Sequence, residues 1–137
     1  MTEPAYEKWL RRARSNLAIA KTGQREDVMF EDLCFEAQQA AEKALKALLL
    51  CVSGDYPRTH AFTLLLAQLQ EHLTVPASVH DVVELSDYAV QVRYPGDYYP
   101  VSNEEYESAL AIAERTLRWV TAQIQSRRSQ GAKDNDA

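Results

Sequence analysis

Glycine is scarce in this chain. Its four residues stand at 23, 54, 96 and 131, too scattered for a phosphate-cradling loop, which needs several in one turn. Cysteine is scarcer, with Cys34 and Cys51 alone. No Cys/His cluster stands at metal-ligand spacing, so neither a metal nor a cofactor is expected. No apolar/polar alternation marks a strand, no repeat or linker divides the chain, and no serine sits in a nucleophile elbow. The longest apolar run, Ala47 to Val52, is far short of the roughly 20 residues that span a membrane. Trp9, Arg11 and Arg12 interrupt any apolar run near the start, so no secretory leader is expected. Basic charge is also short: 15 Lys and Arg face 20 Asp and Glu, for a net charge of -5. That balance argues against charge-driven binding to duplex DNA.

What is present is a soluble composition, 46% hydrophobic and 26% charged over 137 residues, long enough for one domain with its own core. The two cysteines fall in one predicted helix, 51 − 34 = 17 residues apart. That is about 25 Å along a helix axis, so they cannot pair there. Apolar neighbours suggest reduced, buried thiols and a cytoplasmic setting.

Apolar spacing predicts about five helices. Tyr6, Trp9, Leu10, Ala13, Leu17 and Ala20 give the first, from Pro4 to Lys21. Leu33, Ala37, Ala40, Ala41, Ala44, Leu48 and Cys51 give the second, from Asp27 to Val52. Opposite that stripe run Glu36, Gln39, Lys43 and Lys46, and Glu42 with Lys46 makes an i,i+4 pair worth a few tenths of a kcal/mol on a solvated face. Ser53 to Pro57 is a turn. A third helix, Thr59 to His72, carries Leu64, Leu65, Leu66 and Leu69, with Thr59 as cap. A fourth starts at Pro76 or Ala77, shows Val79, Val82, Val83, Ser86, Ala89 and Val90, and runs into the loop at Arg93. The fifth opens on Ser102-Asn103-Glu104-Glu105, a capping box, and carries Tyr106, Ala109, Leu110, Ala113, Leu117, Val120 and Ile124. The fold class is therefore all-α: an up-and-down antiparallel bundle over residues 1–126. Residues 127–137, without an apolar anchor, are expected to be a disordered tail.

Arg93-Tyr94-Pro95-Gly96-Asp97-Tyr98-Tyr99-Pro100 concentrates three of seven tyrosines and two of five prolines in one turn. Such a stretch is more polar than a core needs and more aromatic than a linker needs. Arg93 suits bidentate phosphate binding, and Tyr94 can stack on a base or pack its ring. Tyr98 and Tyr99 can meet a nucleotide or accept a transferred group, with Asp97 beside them. Lys43 and Lys46 can face an anionic ligand or simply solvent. Arg11, Arg12 and Arg14 form a short basic patch on the first helix. His60, at a helix start, reads as a hydrogen-bonding structural residue.

Four segments in order carry a resemblance: Ala13 to Leu17; Ala37-Gln38-Gln39-Ala40-Ala41-Glu42-Lys43-Ala44-Leu45-Lys46-Ala47-Leu48-Leu49; Thr59-His60; and Tyr88 leading to Arg93-Tyr94-Pro95. Together they resemble the HEPN family, the "higher eukaryotes and prokaryotes nucleotide-binding" domains, over roughly residues 5 to 125. The resemblance implies a helical bundle that forms homodimers. It also implies association with a separately encoded minimal nucleotidyltransferase, in toxin–antitoxin-like modules. Ribonucleases of this family carry an arginine and a histidine separated by four to six intervening residues. Here the corresponding positions after Arg93 are Tyr98, Tyr99 and Pro100, and all three histidines (60, 72 and 80) lie upstream. Tyrosine, with a pKa of about 10, is a poor substitute for imidazole as an acid/base near neutral pH. The expected protein is a non-cleaving nucleotide- or RNA-binding domain, or a nucleotidyltransferase partner. The alternatives are a ribonuclease with a rearranged site built on Arg93, Tyr98, Tyr99 and His60, and a pure protein-interaction module.

Overall fold

The computed structural model describes residues 3–88 and 100–136. Helix α1, Ala5–Ala20, starts directly after Pro4, whose φ of -58° suits a helix entry. Helix α2, Phe30–Ser53, ends at Gly54, which takes a left-handed φ of 83° and returns its N–H to the Leu50 carbonyl at 3.0 Å. Helix α3 spans Phe62–Gln70, shorter at both ends than the spacing predicts. Thr59 does not cap it; its Oγ1 instead accepts the Ala61 N–H at 3.0 Å, closing a turn ahead of the helix.

The fourth element departs from the predicted α-helix. Helix α4, Ala77–His80, passes after one turn into a 3₁₀ segment, Asp81–Tyr88. Val79, Val82 and Leu85 are all buried, at intervals of three, while Val83, expected inside, is exposed. A helix with three residues per turn holds such a row on one face, where the wider α-helix lets it drift. The period-three row therefore decides the geometry.

Helix α5, Asn103–Asp136, opens with Ser102 Oγ accepting the Glu105 N–H at 3.1 Å. It continues through 127–136, the stretch read from the sequence as a tail. Side chains from Gln125 to Gly131 are exposed, and Arg128 reaches Glu7 at 2.9 Å.

Long-range contacts fix the directions. Lys43 bonds Asn16 and, further along, Lys46 lies over Trp9, so α2 runs back along α1. Arg115 bonds Asp81, and Tyr88 bonds Glu105, so the 3₁₀ segment and α5 are antiparallel. Tyr106 donates to the Ala20 carbonyl at 2.6 Å, tying the start of α5 to the end of α1. The result is an all-α up-and-down bundle, with the shorter α3 packing Phe62, Leu65, Leu66 and Leu69 into the same core. Helix α2 is its centre: Ala37, Ala40, Ala41, Ala44, Leu45, Ala47, Leu48 and Leu49 are fully buried. Alanine at the predicted contact positions lets α1 and α5 approach α2 closely. Leu45, Leu48 and Leu49 each contribute about 1.5–3 kcal/mol by burial. Among the described residues no helix is long and apolar enough to cross a membrane. Cys34 is buried, Cys51 half-buried, and both are free thiols. Burial first, then the charges of Glu105 and Glu31, pushes Cys34 up to about 12.

Candidate functional site

Two polar clusters grow from α2. The first is internal. Gln38, Glu42 and Lys46, one turn apart, all lie among apolar neighbours and are 0%, 3% and 5% exposed. Glu42 Oε1 accepts from Gln38 Nε2 at 3.0 Å. Its Oε2 accepts from Lys46 Nζ at 3.0 Å and faces His60 Nδ1 at 3.0 Å. The pair is thus no solvated i,i+4 contact, as the sequence suggested, but a buried ion pair. A buried carboxylate must be compensated to stay charged. Desolvation alone would raise the Glu42 pKa. The hydrogen bonds from Lys46, His60 and Gln38 and the Lys46 charge outweigh it and hold the carboxyl below the usual range.

Aromatic rings complete the enclosure. Lys46 Nζ lies 5.7 Å from the ring centres of both Trp9 and Tyr56, within cation–π range. Trp9 and Tyr56 meet edge-to-face with centroids 5.4 Å apart. Tyr56 follows the Gly54 turn, so the end of α2 folds its own ring back over Lys46. His60 sits in the Thr59–Ala61 turn, which aims Nδ1 at Glu42 while leaving the side chain 80% exposed.

The second cluster is open. Asn16 donates to Glu36 at 2.6 Å and accepts from Lys43 at 2.8 Å. Beside it a cavity of about 360 Å³ is lined by Ala5, Lys8, Trp9, Arg12 and Lys43. Burial, and next the neighbouring Arg12 charge, lowers the Lys43 pKa. Three cations and an aromatic ring therefore face one cavity with no carboxylate in its lining. A larger groove, about 530 Å³, runs between α1 and α5 past Arg14, Lys21 and Arg118, but it contains Glu114, which approaches Arg118 at 3.9 Å.

Of the residues singled out from the sequence, Lys46 and His60 meet on Glu42, and Lys43 lies in the open cavity. Arg93, Tyr94, Asp97, Tyr98 and Tyr99 lie outside the described residues. Sequence reading missed Glu42 as an internal anchor and Trp9 as a cavity wall. The run Gln38, Glu42, Lys46, with a hydrogen-bonding partner every four residues, was the available signal. Among the described residues, no three His, Cys, Asp or Glu side chains group to hold a metal ion.

The arrangement of the helices makes this a small all-α bundle domain. The chain belongs to the HEPN domain family, whose pattern it matches over residues 6–125. It is similar to TT1696 from Thermus thermophilus, known from a crystal structure, with 34% identity and a TM-score of 0.75 over 88% of this chain and 98% of that one. It is also similar to ST0689, described as an archaeal HEPN homologue, with 29% identity and a TM-score of 0.67 over 90% of this chain and 99% of that one. A comparison with curated proteins finds no match.

Proposed function

We propose that this HEPN-domain protein binds a phosphate-bearing ligand, a nucleotide or a stretch of RNA, without cleaving it. The observation that carries this reading is the cavity where Lys8, Arg12 and Lys43 surround Trp9. Guanidinium and ammonium groups hold phosphate oxygens, and an indole face stacks a base at about 1–3 kcal/mol. Neither the Lys8 nor the Arg12 side chain has a hydrogen-bond or ion-pair partner among the described residues, so an incoming anion displaces no such contact of theirs. The non-cleaving part rests on the absence of any histidine after Arg93. Family membership supports a homodimer working beside a nucleotidyltransferase, in a toxin–antitoxin-like module.

Calorimetric titration with ATP, GTP and a short single-stranded RNA tests the reading. At least one is expected to bind, with affinity falling as salt rises, and K8A/R12A is expected to weaken it by more than about tenfold. Absence of binding by all three, or binding indifferent to K8A/R12A, overturns the cavity as the site. RNA cleavage by the purified protein overturns the non-cleaving role.

A further inference from the structure

His60 differs from the other two histidines in how its ring is held. His72 is exposed, and its side chain has no partner among the described residues. His80 engages Gln70 through Nε2 at 3.3 Å. His60 is anchored through the opposite nitrogen: Nδ1 lies 3.0 Å from the Glu42 carboxylate, which is 3% exposed, while the imidazole is 80% exposed. An ionised carboxylate only accepts hydrogen bonds, so Nδ1 carries the hydrogen. In the neutral ring Nε2 is then left with a free lone pair, on the side away from the protein anchor. Lys46 Nζ bonds the same Oε2 at 3.0 Å and keeps the carboxylate charged.

We propose that His60 is a phosphoryl-acceptor site, its Nε2 taking a phosphoryl group from an activated phosphoryl donor. A buried carboxylate behind an exposed imidazole orients the ring, fixes the reactive tautomer and stabilises positive charge that develops on it. In the step, the Nε2 lone pair attacks phosphorus and a P–N bond forms. The donor's bond to its leaving group breaks, and the leaving group departs with the electron pair and takes a proton from water. Nδ1 keeps its hydrogen throughout, and the ring's new positive charge is balanced by Glu42. His60 does not line the Trp9 cavity, so this site stands independently of the ligand proposed there. An imidazole projecting this far into solvent suits a donor approaching from outside better than a substrate enclosed within the protein.

The probe is phosphoramidate, a small donor that phosphorylates imidazoles without an enzyme, with sites read by mass spectrometry under neutral conditions. In the native protein His60 is expected to be labelled on the order of tenfold faster than His72, with the phosphoryl group on Nε2 by phosphorus NMR. E42Q, which leaves the carboxamide free to donate instead of accept, should bring His60 down to the His72 rate while His72 itself is unchanged. In denaturant all three histidines should react alike, a control that holds even where E42Q folds poorly. Equal rates for His60 and His72 in the native protein overturn the proposal. So does label on Nδ1, or a His60 advantage that persists in denaturant.

Discussion

Lys43 and Lys46 stand three residues apart on one helix and make opposite use of the same charge. Lys46 points inward, shares Glu42 with His60 and is covered by Trp9 and Tyr56. Lys43 points along the groove toward Asn16 and the open cavity. Trp9 belongs to both regions, one face near Lys46 and the ring also forming the cavity wall. Charge compensated inside a helical bundle specifies how its segments dock. Charge at the rim, held by Asn16 rather than by a carboxylate, stays beside an open cavity.

The largest expected effect tests the inner cluster. Glu42→Leu strips the buried Lys46 ammonium of its carboxylate and Lys46→Met strips the buried Glu42 carboxylate of its cation, and each should cost about 3–5 kcal/mol. The double variant E42L/K46M should be more stable than either single variant, short of wild type because the buried Gln38 Nε2 loses its acceptor. Urea unfolding of the three variants checks this. A double variant as unstable as the singles would mean that the pair contributes more than mutual compensation.

Acid should act on the same cluster. The folded-state pKa of Glu42 is lowered, so its contribution is complete above about pH 5, where glutamate is ionised in the unfolded chain as well. It is lost as pH falls through the folded value, because the unfolded chain then takes up the proton first. The stability gap between wild type and E42Q should therefore narrow on acidification, measured by unfolding at a series of pH values. A gap that widens toward low pH would contradict the assigned sign.

The smallest effect belongs to the rim. Lys43→Met removes one half-buried hydrogen bond to Asn16 and should change stability by less than about 1 kcal/mol, while weakening binding of the anionic ligand. If Lys43→Met proved as costly as Lys46→Met, the division between a closed and an open cluster would fail.

Most of the fold was legible in the sequence because it depends on local periodicity. The stripes of α1, α2 and α5 were read at their correct positions, and Gly54 announced the end of α2. The fourth element was misread because its valines suit several helical periods. Only the buried row Val79, Val82, Leu85, pressed between α2 and α5, selects the 3₁₀ form. The candidate site was legible in part: His60, Lys43 and Lys46 were singled out, but their grouping was not.

The residues alone determined helices α1, α2 and α5, the Gly54 and Ser102 caps and the family, since each follows from neighbours within a turn or two and from the order of motifs. Tertiary structure alone decided which polar groups of α2 are inside. A helix places Glu36, Gln39, Glu42, Lys43 and Lys46 around its surface without saying which direction will meet solvent. Burying a charge is tolerable only where partners arrive, and those partners, Trp9, Tyr56 and His60, come from other segments of the chain.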